Sequence, residues 1–463
     1  MSAAPPGPDD FRAAGHELVE WVARYMEDVE RFPVQSPVAP GWVRAQLPPH
    51  APEQPEPWDA IVADLDRVVL PAVTHWQSPM FFGYFPANAS GPSILGDLVS
   101  SGLGVQGMLW ATGPACTEIE THVLDWLVEL LGLPEHFRGH GVIQDSASSA
   151  NLCAVLAARD RRTATVALDR LRAYTSTQAH SSIEKAIRVA GLRRDQLRTI
   201  DVDDTYALRA DALRDAVERD VAGGLVPFLA VATAGTTSSL AFDPVDAIAD
   251  VCDAHDMWLH VDAALAGAAA IAPELRALVN GGIDRVDSWC FDPHKWLLTN
   301  FDCDVLYLAD PSALVDSLSV VPEYLRNQAS ESGAVIDYRD WQVPLGRRFR
   351  ALKLWFVLRR YGAEGLREHI RRDVRAARWL AARVDGDDRF ARLAPADLSL
   401  VCFAHRDGDD ATERLHRRIN ESGRALVTHT RLGDRYAIRV AVGATSTEQH
   451  HVEALWHLVD ELA

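Results

Sequence analysis

The stretch Asp287-Ser288-Trp289-Cys290-Phe291-Asp292-Pro293-His294-Lys295-Trp296-Leu297-Leu298 carries an apolar run to a proline and, just beyond it, to an amine. Lys185, Lys295 and Lys353 are the only lysines in a chain otherwise supplied with arginine. A guanidinium replaces an ammonium for surface charge or carboxylate pairing, but it does no amine chemistry. A lysine kept in an aromatic, partly desolvated setting is therefore a candidate for a Schiff base with a carbonyl cofactor. The competing reading is structural, with Lys295 lying over two tryptophans as a cation–π contact.

Pyridoxal phosphate, as such a cofactor, asks for a lysine at its aldehyde, a cradle for its phosphate and a carboxylate against its ring nitrogen. Ser146-Ala147-Ser148, at a helix start, offers hydroxyls, backbone donors and the positive end of a helix dipole; simple N-capping would use the same residues. Asp262 ends an apolar segment, where it either faces a pyridinium or serves as a cap or ion pair. His180 has a flat ring that could stack on a cofactor or be merely structural. Tyr324, on a polar segment, would by itself be a surface aromatic.

The elements that must position these groups alternate. Val142-Ile143, Arg172 to Thr175, Phe228 to Thr233, Met257 to Val261, Val286 to Phe291 and Val305 to Leu308 read as buried strands. Helices fall between them, over Ala150 to Arg159, Ser181 to Val189 and, capped by Asp243, onward to His255. Such alternation predicts a mostly parallel α/β sheet, in which ligands gather beyond the carboxyl ends of strands. Ser148, His180, Thr237, Asp262 and Lys295 all lie just past a strand. Ahead of this region, Phe11 to Val29 and Trp58 to Leu70 read as amphipathic helices joined by a proline-rich connector, Pro33 to Pro57. Val320 to Val335 reads as a loop. After the helical Phe349 to Ala381, strands Leu398 to Phe403 and Tyr436 to Val442 among helices indicate a small α+β domain. The expected organisation is a helical segment 1–84, a large domain 85–375 and a small domain 376–463.

At 463 residues, 48% apolar and 24% charged, the chain has an ordinary globular composition. Its net charge of -19 argues against nucleic acid and anionic membrane as partners, so any phosphate must be held by local donors. Cys116, Cys153, Cys252, Cys290, Cys303 and Cys402 show no metal spacing and suit a reducing cytoplasm. The opening residues do not resemble a signal peptide, and no apolar run approaches the roughly 20 residues of a membrane helix.

Taken in order, Thr74-His75-Trp76, Tyr84-Phe85-Pro86, Ser146-Ala147-Ser148, Gln178-Ala179-His180-Ser181-Ser182 and Gly235-Thr236-Thr237 form a specific series. It continues through His260-Val261-Asp262-Ala263-Ala264, Pro293-His294-Lys295-Trp296 and Pro344-Leu345-Gly346-Arg347-Arg348. Over nearly its whole length the chain resembles the group II pyridoxal-phosphate decarboxylases, close to the aromatic-L-amino-acid decarboxylases. The resemblance implies a type I, aspartate-aminotransferase-like fold, and a homodimer in which the segment around Val105 to Trp110 completes the neighbour's site. It makes Lys295 similar to the Schiff-base lysine, Asp262 to the pyridinium partner, His180 to the stacking histidine and Ala264 to the small residue opposite. Ala147, Ser148 and Thr237 match phosphate contacts, with Asp292 and His294 nearby. Tyr324 matches the loop tyrosine that returns a proton to carbon. Trp76, Tyr84, Pro86, Phe301, Gln106, Met108 and Gly346 are the expected substrate-pocket residues.

Departures from the family pattern bear on the pocket. Asp292 stands where animal relatives have asparagine, an acid near a phosphate. Ala87 replaces a threonine, Leu265 a common tyrosine, and Gln106 and Met108 replace apolar and aromatic residues. Gly346 is the small option that goes with indole substrates in plant relatives. The expected activity is decarboxylation of tryptophan, Dopa, tyrosine or phenylalanine to the amine. An aromatic acetaldehyde synthase and a decarboxylase of non-aromatic amino acids are the alternatives. The presence of both Tyr324 and His180 favours simple decarboxylation.

Overall fold

The computed structural model describes residues 7–320 and 334–463. Among these residues twelve strands form two sheets. In chain order they are β1 (Phe81–Phe82), β2 (Gly141–Gln144), β3 (Leu171–Ser176), β4 (Leu197–Ile200), β5 (Val226–Thr233), β6 (Trp258–Asp262), β7 (Ser288–Phe291), β8 (Asp304–Leu308), β9 (Phe390–Arg392), β10 (Leu400–His405), β11 (Leu426–Leu432) and β12 (Arg435–Ala441). The larger sheet has the order β2-β8-β7-β6-β5-β3-β4, and the smaller β1-β11-β12-β10-β9.

In the larger sheet every adjacent pair is parallel except the two that involve β8, which runs against both β2 and β7. The reason lies in burial. β3, β5, β6, β7 and β8 are covered on both faces, so they read as near-continuous apolar runs, as parallel strands flanked by helices do. The mostly parallel α/β expectation holds. β4, only partly buried, carries no comparable apolar signal, and was not foreseen.

The expected helices form as Pro8–Asp28, Trp58–Asp64, Ala147–Thr163, Ser182–Val189 and Val245–His255. The long helix Arg350–Asp385 is interrupted at Gly362, whose φ of 64° lies in the left-handed region that glycine enters at no steric cost. Asp243 does not cap the helix before which it stands. Its two oxygens instead accept the amides of Leu208 and Thr233, at 2.7 and 2.8 Å. Those buried N–H groups have a stronger claim than a helix end that opens on Pro244.

Candidate active site

The carboxyl ends of β2, β3, β5, β6 and β7 open on one cavity of about 700 Å³. It gathers Trp76, Tyr84, Pro86, Ala147, Ser148, His180, Thr237, Asp262, Ala264, Asp292, His294, Lys295 and Phe301 from segments distant in sequence. Gln106 and Gly346 lie together elsewhere. Gln106 Oε1 accepts the Arg347 amide at 2.5 Å, and Gly346 packs against the same side chain. Met108 is held near them, its carbonyl accepting the Arg339 amide at 3.0 Å. Tyr324 lies outside the described residues.

Pro293 opens the short helix Pro293–Trp296, which turns Lys295 back toward the cavity. Lys295 Nζ sits 2.5 Å from Asp292 Oδ2 and 5.9 Å from the centre of the Phe85 ring. The tryptophan cage considered above is not formed. Trp296 turns into the core, where its Nε1–H donates to Asp373 at 2.9 Å. Asp292, the unexpected acid, lines the cavity with its charge paired to Lys295. Besides Lys295 it accepts the Ala147 amide at 3.2 Å, through Oδ1.

Helix Ala147–Thr163 begins at this cavity, and the Ser146 side chain at its N-cap does not bond to its amides. The Ser146 hydroxyl donates to Asp145 at 3.0 Å instead. Capping therefore does not explain the serines, and the helix start presents its partial positive charge to the cavity.

Asp262, at the tip of β6, is 4% exposed. Its Oδ1 accepts the Ala264 amide at 3.0 Å and its Oδ2 accepts Asn151 Nδ2–H at 2.9 Å. Asn151 also donates to Ser182 Oγ at 3.0 Å, and its Oδ1 lies 2.7 Å from His260 Nε2. Ser182 Oγ is 2.9 Å from His180 Nδ1, which also accepts the Ser182 amide at 3.2 Å. Beneath them Trp258 Nε1–H donates to Ser288 Oγ, which lies 2.8 Å from His260 Nδ1.

These contacts admit one consistent set of donors. Burial lowers His260 to about 4, so it is neutral. With the Ser288 hydroxyl donating to Nδ1, the His260 proton is on Nε2 and goes to Asn151 Oδ1. Asn151 is thereby oriented to give both amide protons to Asp262 and Ser182. Ser182 then donates to His180 Nδ1. Burial also lowers His180, and its proton is left on Nε2, the nitrogen not used by the network. One hydrogen-bonded unit thus fixes both the carboxylate and the imidazole.

Because folding keeps His260 neutral, unfolding below about pH 6.5 adds a proton to it. Its contribution to stability is therefore full above that pH and is lost as pH falls toward about 4. His260→Gln is expected to be less stable than the parent at pH 7, with the deficit shrinking by pH 4.5 when both are unfolded in denaturant. A deficit that grew on acidification would contradict a neutral His260.

Three groups here were not anticipated from sequence. Asn151 is an amide inside an otherwise alanine- and leucine-rich helix face. Arg439 is a charge in the middle of the apolar run Tyr436 to Val442, and Asp304 an acid between Cys303 and Val305; a polar residue interrupting an apolar element is the signal each carries. Arg439 is 3% exposed and lines the cavity. Its Nε–H donates to the Thr237 carbonyl at 2.7 Å, another donor reaches the Tyr84 carbonyl, and Nη2 has no partner among the described residues. The guanidinium lies 4.5 Å over the Phe85 ring, and burial lowers its pKa to about 10.

The donor set fits pyridoxal phosphate. A partly exposed amine, a helix start with Ser148 and Thr237, and a buried carboxylate between two N–H donors meet in one cavity, with a flat imidazole on one side and the small Ala264 on another. The profile of the pyridoxal-dependent decarboxylase conserved domain matches residues 40–406. The chain is 44% identical over 478 residues to tyrosine decarboxylase 2 of Narcissus pseudonarcissus, covering 100% of this chain and 95% of that protein. It is 43% identical to phenylacetaldehyde synthase of Arabidopsis thaliana, with 99% and 97% covered. The crystal structure of Oryza sativa TDC with PLP and tryptamine superposes with a TM-score of 0.97 at 42% identity, covering 100% of this chain and 99% of that one. The chain belongs to the pyridoxal-dependent decarboxylase family. It is a carboxy-lyase with the type I fold, and its cofactor is pyridoxal 5'-phosphate.

Proposed function

We propose that this enzyme converts an aromatic L-amino acid to its amine and carbon dioxide. The observation that carries the reading is the meeting of Lys295, Asp262 and His180 in a cavity whose mouth is aromatic, with Trp76 stacked on Tyr84 at 5.4 Å and Phe301 beside His294 at 4.7 Å. Similar proteins named tyrosine decarboxylase and tryptophan decarboxylase support it.

In this reading Lys295 holds the cofactor aldehyde, the start of helix Ala147–Thr163 with Ser148 and Thr237 holds the phosphate, and Asp262 faces the ring nitrogen. When bound, the cofactor supplies a carbonyl that condenses with amines and a ring that accepts the electron pair left by a departing carboxylate. The chain's residues do the rest. Asp262 keeps a negative charge where the ring nitrogen is to stay protonated. His180, its tautomer set by Ser182, presents an N–H to the cavity and stacks on one ring face while Ala264 leaves room on the other. Arg439, with a donor unspent, receives the substrate carboxylate as it enters. Tyr324, with His180 as relay, returns a proton to the substrate carbon.

The enzyme is further proposed to be a cytoplasmic homodimer. Exposed Leu95, Leu98, Val99 and Leu103 on the helix Gly91–Leu103, with Val343 and Leu345, form apolar surface that suits a second copy. Gln106, Met108 and Gly346 then belong to the neighbour's pocket. The division into 1–84, 85–375 and 376–463 stays a proposed organisation, with helix Arg350–Asp385 spanning its second junction. Six buried free thiols accord with a reducing compartment. Among the described residues no helix is long and apolar enough to cross a membrane.

The test is product analysis of the holoenzyme in a mixture of tryptophan, tyrosine, phenylalanine, Dopa and glutamate. Aromatic amine is the expected product, and Tyr324→Phe is expected to lower its rate by about 10²–10⁴-fold. Aldehyde with ammonia would instead assign the oxidative branch, and amine from glutamate alone would overturn the aromatic reading.

A further inference from the structure

Asp292 follows β7 directly, and the antiparallel register that sets Phe291 against Val305 brings Asp304, the first residue of β8, across from it. The two acids are 1% and 0% exposed. Their surroundings differ. Asp292 has Lys295 Nζ at 2.5 Å, the Ala147 amide at 3.2 Å and His294 Nε2 at 3.6 Å. Neither oxygen of Asp304 receives an N–H or O–H donor from the described residues.

Two ionised carboxylates side by side in a dry interior repel and are poorly solvated, so one takes up a proton. Asp304 is the member that gains by it, since as an acid it donates to Asp292, whereas Asp292 already has a cation and an amide. Burial and the adjacent Asp292 both push Asp304 well above the carboxylate range. For Asp292 burial works against ionisation, but the charge of Lys295, with the hydrogen bonds from Lys295 and Asp304, outweighs it and holds it low.

We propose that Asp292 and Asp304 form a one-proton pair that keeps Lys295 protonated whenever its amine is not bonded to the cofactor, Asp292 carrying the charge and Asp304 the proton. The proposal rests on Lys295 being the cofactor lysine and names the residues that set its protonation state. Other titratable groups face the amine. Asp262 on β6 favours the ammonium, and His180 and His294 are neutral by burial. Cys290 on β7 is held as a thiol. An ammonium beside a one-proton pair is neutral overall. Passing the Lys295 proton to Asp292 leaves an amine beside two carboxylic acids, also neutral. Lysine is thus freed to form a bond without creating net charge in a buried site. Asp292 and Asp304 are positioning residues, acting through Lys295.

With only three lysines, the chain allows a direct titration. The cofactor-free full-length protein is treated with an amine-acylating reagent from about pH 7 to about pH 11, and modification at each lysine is read by mass spectrometry. Exposed Lys185 is the internal reference, and fully buried Lys353 reports that the fold is intact. The Lys295 side chain, 24% exposed, is reachable. Its midpoint is expected above that of Lys185 in the parent, below it by about one pH unit or more in Asp292→Asn, and still above it in Asp304→Asn. Asp292→Ser carries the same expectation should the asparagine variant fail to fold. An unchanged midpoint on removing Asp292, or a fall in Asp304→Asn equal to that in Asp292→Asn, would overturn the pair as assigned. Neither substrate nor cofactor is present, so this result is independent of the product analysis that tests the decarboxylase reading.

Discussion

Lys295→Ala and Lys295→Arg are both expected to lose more than about 10³-fold of amine formation, because neither can bond to the cofactor aldehyde. The two variants together separate charge from nucleophilicity. Arginine retains a cation for Asp292, now 2.5 Å from the lysine amine, yet offers no amine chemistry. Alanine leaves Asp292 without its cation, but Asp304 stands next to it and the pair can share protons to remain neutral, so the cavity is expected to keep its shape. The measurement is amine released per holoenzyme, with the mass of the borohydride-reduced protein reporting covalent cofactor. Parent protein should gain the cofactor's mass on reduction and both variants should not. An arginine variant with more than about a tenth of the parent rate would show that the charge of residue 295, rather than its nucleophilicity, is what the reaction uses.

The chemistry-bearing residues were legible because they stand at strand ends, and strand ends are visible wherever an apolar run stops. Asp262 closes Trp258–Asp262, and Lys295 follows Ser288–Phe291 by four positions. β-branched, doubly covered strands made the parallel sheet readable in the same way. What supports those residues was not legible. Asn151 and Asp262 are 111 positions apart, and Arg439 and Thr237 are 202 apart. No local pattern encodes such contacts, and each is decided by which segments the sheet order brings together. Asp243 shows the converse. Its placement two residues before a helix is a sound capping signal, but two buried amides from other segments compete for the same oxygens and win. β4 and β11 escaped notice because partly exposed polar residues, Arg198 and Thr199 in one and Thr428 to Arg431 in the other, leave no strong apolar run. The position of Asp292 alone suggested a clash with phosphate; its charge is met by Lys295 three residues on, and only the register of β7 with β8 brings Asp304 across from it.

Asp262→Asn is the substitution that tests how the site holds a charged ring. Among the described residues Asp262 forms no ion pair, although it is almost fully buried; its oxygens are met by two neutral donors, the Ala264 amide and Asn151. A buried carboxylate without a cation is costly, and a protonated ring nitrogen is the cation whose arrival would offset that cost. Asparagine keeps the shape and can still accept from Ala264 or Asn151, but it cannot hold a proton on the ring by charge. The expected result is a fall in kcat of about 10³-fold, roughly 4 kcal/mol of lost transition-state stabilisation, together with weaker cofactor binding. The cofactor-free variant, relieved of a buried charge that no cation touches, is expected to unfold at a denaturant concentration equal to or above that of the parent. That combination separates an electrostatic role from a structural one. If Asp262 merely braced the Asn151–Ser182–His180 network, the variant would lose stability without cofactor, and kcat would fall less than about tenfold.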